Sequence, residues 1–175
     1  MLSSAEQAAL TSGSDMWNTT AVADECGVTV PGLLHHVGSK DGLLVAVLDH
    51  RDAADADALI AELGPGAPPT GVDLRRLCAA LVRRNAGQPE IVRLFAVLEA
   101  ESLAPGHPAH LYFAARQERT LAMFTALAVG ISDRPGSLAR QVMALMDGLQ
   151  IQWLRDPGGT DLVTEWEAVA ATLFA

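Results

Sequence analysis

Apolar residues recur along this chain at three- and four-residue intervals and nowhere alternate singly, so the sequence predicts helices throughout and no sheet. Breakers cut that pattern into pieces. Leu43, Leu44, Val47 and Leu48 begin one stripe, extended by Ala54, Ala58 and Leu59, with Ser39 as its N-cap and Asp41 in the first turn, where a negative charge suits the helix dipole. Gly64-Pro65-Gly66-Ala67-Pro68-Pro69-Thr70-Gly71 ends it and reads as a linker. A second stripe (Leu74, Leu77, Cys78, Leu81, Val82) stops near Gly87 and Pro89, and a third (Ile91, Leu94, Phe95, Leu98) meets Pro105-Gly106-His107-Pro108. A fourth helix is expected from about Ala109 to Val129, stopped by Gly130. Asp133 is the expected cap of the next, with Pro135 in its first turn. After Gly158-Gly159, Thr160 or Asp161 starts the last helix, and at the other end a short helix is expected over Ala5–Leu10.

The fold class expected is therefore all-α. A length of 175 residues, half of them hydrophobic, suffices for one compact domain or for a small head with a second core. No apolar run approaches the roughly 18–20 residues that span a bilayer, and Met1–Leu10 has neither a basic start nor a sustained apolar stretch. No membrane partner and a cytoplasmic location are the expectation. Cys26 and Cys78 stand far apart without a CxxC pattern, which excludes a disulfide scaffold or zinc site as a reading. The net charge is −9, and residues 1–52 carry −5 of it: Lys40 and Arg51 against seven acids. Phosphate contacts supply most non-specific affinity for nucleic acid, so this imbalance weighs against a nucleic-acid reader.

Residues 19–44 hold the most specific pattern. A short helix around Val22 and Ala23 meets a corner at Gly27, which can take a positive φ, and Thr29 caps a second short helix that tolerates Pro31 in its first turn. Val28, Leu33 and Val37 face a shared core. Two short helices joined at a glycine corner outline a helix-turn-helix. The run Val22-Ala23, Gly27-Val28-Thr29, Leu33, His36-Val37-Gly38-Ser39-Lys40, Leu43-Leu44 resembles the DNA-binding head of the tetracycline-repressor (TetR) family. Glu101, His107-Pro108-Ala109-His110 and Asp147-Gly148-Leu149-Gln150-Ile151-Gln152-Trp153 are similar to the C-terminal domain of one branch of it.

That resemblance implies a helix-turn-helix head over residues 1–50 and a helical ligand-binding and dimerisation domain over 51–175. It implies a homodimer on operator DNA, released by a small apolar ligand. Thr29, His36 and Lys40 would touch phosphates, and Val30 and Gly32 would face base edges, with His35, His36 and His50 adding charge only when protonated. The sequence departs from the family at Leu34, where a phosphate-contacting tyrosine is usual. Val30-Pro31-Gly32 offers none of the Arg, Lys, Asn or Gln side chains of direct readout. The alternative is a similar small-molecule-binding protein or biosynthetic enzyme that has lost DNA binding.

A ligand site between the later helices would draw its apolar wall from Leu81, Phe95 and Leu98, with Met143 and Met146 as adaptable fillers or plain core. Polar candidates are Glu101, His110, Tyr112 and Arg116, with Phe113 beside them. Asp147 and Gln150 are ligand contacts or a polar pair at a subunit seam. His107 and His110 have metal-ligand spacing but no matched third ligand, so capping or packing is the expected role and no metal or cofactor is expected. There is no Gly-rich phosphate loop, GxSxG or HExxH, so no catalytic residue is assigned. Glu101 with His107 or Tyr112 could act as acid and base by side-chain type alone. The last two helices carry more apolar surface than one core needs, which suggests a dimer interface at Leu149, Trp153, Leu162, Trp166, Val169 and Leu173; the alternative is a private core of one chain.

Overall fold

The computed structural model describes residues 19–25, 27–64 and 73–175. The helix expected at Ala5–Leu10, Cys26 and most of the Gly/Pro linker lie outside the described residues. Among those described there are eight helices and no strand: α1 (Thr19–Glu25), α2 (Val30–Val37), α3 (Lys40–Leu63), α4 (Leu74–Ala86), α5 (Pro89–Glu101), α6 (His110–Ala128), α7 (Pro135–Arg155) and α8 (Leu162–Leu173). The expected all-α class is what the chain adopts. Among these residues no helix is long and apolar enough to cross a membrane.

Side chains set most of the boundaries. The Ser39 hydroxyl accepts from the Gly42 N–H at 2.9 Å and starts α3. Asp73 accepts from Arg76 at 2.7 Å and caps α4, a cap sequence reasoning passed over. The Asp161 carboxylate accepts from Thr164 at 2.8 Å at the head of α8. The start of α7 differs from expectation. Asp133 does not cap it; the capping position is Arg134, which makes no side-chain cap bond, and its N–H donates to Ser132 Oγ at 3.1 Å. Pro135 lies in the first turn as expected, where its fixed φ suits the helix and its missing N–H costs nothing.

The chain divides into two compact units, one of residues up to Ala56 with Leu98–Phe113, the other of Asp57–Val97 with Ala114–Ala175. In the first, α1 packs on α2, and Val22, Ala23, Leu33, Leu43, Leu44, Val47 and Leu48 are buried. In the second, α8 packs on α4 and α7 around Trp166, Leu74, Leu77, Cys78, Val82, Val142 and Leu162. Helix α8 belongs there because Leu162, Trp166 and Ala170, spaced by four, form one buried stripe.

Candidate functional site

The first unit builds a corner. After α1 the chain turns through Gly27 at φ +65°, with the Gly27 N–H donating to the Asp24 carbonyl (3.0 Å) and the Val28 N–H to that of Ala23 (2.9 Å). Such a φ strains any residue with a Cβ. Thr29 then caps α2, its hydroxyl accepting from Gly32 at 3.2 Å, and Gly38 closes the helix by donating to the Leu34 carbonyl at 2.8 Å. A Cβ on Gly42 would run into the Val37 carbonyl, so glycine lets α3 begin directly beneath the end of α2.

Leu33 is the fully buried anchor of α2, while Val28, Leu34 and Val37 are half-buried. Opposite the anchor, Pro31, His35 and His36 are exposed, with the two imidazoles edge-on at 5.8 Å. Thr29 and Lys40 are exposed at the two ends, and Val30 and Gly32 are half-buried. The six residues expected at DNA thus lie on one short helix and its immediate flanks. Arg51, the other fixed cation of this stretch, is an ion-pair partner of Asp55 at 2.8 Å. Asp24, Asp41 and Asp49 are exposed.

Farther along the same unit, Leu98, Tyr112 and Phe113 are buried. The Tyr112 hydroxyl donates to Asp52 Oδ2 at 2.6 Å, and its ring meets Phe113 edge-on with centroids 5.1 Å apart. His110 Nδ1 donates to the Ser102 carbonyl at 2.7 Å, because a carbonyl can only accept. His107 Nδ1 accepts from the Ala109 N–H at 3.2 Å, ahead of α6. Its Nε2 lies 3.8 Å from Glu101, which is exposed. No group of three metal-ligating side chains occurs among the described residues.

In the second unit the Arg116 guanidinium stands 5.2 Å from the Phe95 ring centre, a cation–π distance. Gln150 accepts from Asn85 at 2.8 Å and donates to the Met146 carbonyl at 3.1 Å, joining α7 to α4. Met146 is buried, Leu81 and Met143 are half-buried against the same core, and Asp147 is exposed. Asp52 and Asn85, the partners of Tyr112 and Gln150, escaped sequence reasoning. They stand 60 and 65 positions away, and no local pattern marks such pairs. An open cavity of about 360 Å³ lies beside the 157–161 loop, lined by Ala86, Trp153, Leu162 and Val163. Burial, with Asp73 adding to it, pushes the Cys78 thiol up to about 12, so it stays protonated and inert.

Of the residues expected at a subunit seam, Trp153, Leu162 and Trp166 are buried within the core of their own chain. Leu149, Val169 and Leu173 are half-buried against it. What α7 leaves exposed instead is Leu145 and Ile151. The Trp166 Nε1–H is buried and has no hydrogen-bond partner among the described residues.

No protein-family model matches the chain, and no curated protein matches it in sequence. Solved structures do resemble it along nearly its whole length. A transcriptional regulator from Rhodococcus sp. Rha1 is 18% identical, with a TM-score of 0.75 over 98% of this chain and 91% of that one. The transcriptional regulator FadR from Bacillus subtilis, solved with stearoyl-CoA, is 12% identical, with a TM-score of 0.76 over 99% and 96%. A transcriptional regulator from Saccharomonospora viridis, solved with choline, is 21% identical, with a TM-score of 0.72 over 98% and 92%. At these identities the likeness is one of fold, and the fold is that of all-helical transcriptional regulators.

Proposed function

We propose that this chain is a ligand-responsive transcriptional regulator of the TetR type, a repressor that binds operator DNA as a homodimer and is released by a small apolar molecule. The observation that carries the reading is α2: an eight-residue helix capped by Thr29, anchored by Leu33 and presenting His35 and His36 outward, with Lys40 exposed just beyond it. A helix so placed fits the major groove, with Thr29, His36 and Lys40 at phosphates and Val30 and Gly32 approaching base edges by shape. In this reading residues 1–50 are the head and 51–175 the sensor and dimer domain, and two heads stand about one helical turn, roughly 34 Å, apart.

The seam of the dimer runs along α7 and α8, on the surface left by the private core. The exposed Leu145 and Ile151, with half-buried Leu149, Val169 and Leu173 at its margin, support that choice. The candidate ligand contacts are mostly apolar with a few polar groups, and each unit offers its own set. The second unit has Leu81, Phe95, Met143 and Met146 with Arg116, Asp147 and Gln150. The first has Leu98, Phe113, Tyr112 and His110, with Glu101 exposed. That two of the similar regulators hold stearoyl-CoA and choline supports a small organic ligand.

A gel shift at low salt with the intergenic DNA flanking the gene tests the reading. A retarded band weakened by His36→Ala and Lys40→Ala is expected, and no band at any salt overturns it. The charge of the head favours a second reading, in which a protein of this fold binds or converts a small molecule and no longer meets DNA: residues 1–52 carry net −5, and α2 has no Arg, Lys, Asn or Gln. An absent shift together with turnover of a neighbouring pathway intermediate would support it.

A further inference from the structure

Lys40 is the only lysine in the sequence; the other eleven Lys/Arg positions are all arginines. It is exposed at the first position of α3, where the Ser39 cap fixes its backbone beside the end of α2. Its side chain has no ion pair or hydrogen bond among the described residues, whereas Arg51 is engaged with Asp55. The free fixed charge on the reading side of the head therefore rests on one primary amine. Amines and guanidinium groups differ here: an amine has an accessible neutral form that acylates, while a guanidinium stays protonated at any physiological pH. Acyl transfer thus reaches one basic side chain in this sequence, the one at the head.

We propose that Lys40 is an acylation site that switches the head off. This rests on the regulator reading and names a second control on the same surface, independent of any ligand in the sensor. The neutral Nζ attacks the carbonyl carbon of an activated acyl donor, an acyl phosphate or an acyl thioester. The new C–N bond forms, the C–O or C–S bond breaks, phosphate or thiolate leaves with the electron pair, and the proton shed by Nζ goes to water. The product is a neutral amide, and a head already at net −5 loses the charge that meets phosphate.

The test uses the full chain treated separately with acetyl phosphate and with acetyl-CoA, peptide mapping by mass spectrometry, and gel shifts over a range of salt. The expected result is one acetyl group on Lys40 from at least one donor. DNA binding should then be roughly tenfold weaker or more, with a salt slope shallower by about one phosphate contact. The donor that reacts identifies the source. Lys40→Arg keeps a charge but offers no amine, so whatever affinity it retains should not respond to either donor, although its N-terminal amine reacts equally. An unmodified Lys40 under both donors, unchanged binding after modification, or the same loss in Lys40→Arg would each overturn the proposal. If the untreated chain shifts no DNA even at low salt, the regulator reading itself has failed; a shift that acetylation leaves intact sinks the acylation switch alone.

Discussion

The two compact units are stabilised by different chemistry. Around α1 and α2 the first depends on corners: a glycine at positive φ, hydroxyl caps at Thr29 and Ser39, and an eight-residue helix with one fully buried side chain. The second depends on burial, with α8 set into α4 and α7 and an indole in the centre. A short helix that spends one side chain on its core keeps most of its surface for contact, and α2 does that. A helix such as α8, with a buried residue at every turn of one face, gives stability and offers less.

If that contrast is right, the largest effect of a single substitution falls in the second unit. Trp166→Ala should cost about 3–5 kcal/mol, reduced somewhat because the indole N–H it removes has no partner among the described residues. Urea unfolding measures the loss, and alkylation of Cys78 reports it locally, since that thiol is buried and held protonated in the folded chain. Leu33→Ala comes next, at about 2–5 kcal/mol for an emptied leucine site. On the proposed regulator reading it should abolish DNA binding, while Cys78 remains protected. Loss of Cys78 protection in this variant would show that the core around Cys78 does not stand on its own burial.

Those sites also mark what the sequence alone could reveal. Thr29, Gly27, Ser39 and Asp161 were legible because a cap or corner is written within three or four residues of itself. Asp133 was misread for a related reason: Ser132 and Arg134 stand beside it, and which neighbour serves a helix end is decided by geometry that one-residue spacing does not encode. Periodicity identified Trp153, Leu162 and Trp166 as the apolar face of the last two helices. It carries no information on whose core that face enters, and here it is the chain's own. The candidate ligand residues were legible by type and helix but not by partner: the Tyr112–Asp52 and Asn85–Gln150 bonds depend on which helices meet.

Tyr112→Phe probes one such long-range bond. The hydroxyl is a donor to a half-buried carboxylate, and deleting it leaves Asp52 short of one partner, at a cost of about 1.5–3 kcal/mol. Thermal unfolding measures it, and Asp52→Asn, which keeps an acceptor, should cost less. Equal losses would mean that the carboxylate charge, rather than the hydrogen bond, holds α3 to α6.

The smallest effect is expected at Asp161, and it sharpens the contrast through its dependence on pH. The Thr164 backbone N–H, then the Thr164 side chain and the Val163 N–H, favour the carboxylate and hold it below its ordinary value of 3.8. A carboxyl whose folded value lies below its unfolded one contributes stability that is fully present above 3.8 and disappears as pH falls through the folded value. Asparagine also caps helices, so Asp161→Asn should keep the α8 start and lose only this charge-dependent part. The difference in unfolding midpoint between the two chains should be constant from neutral pH down to about pH 4 and shrink below it. A difference that does not change on acidification would mean that the second unit takes nothing from charge at this helix end. Its stability would then be apolar burial even where a carboxylate caps it.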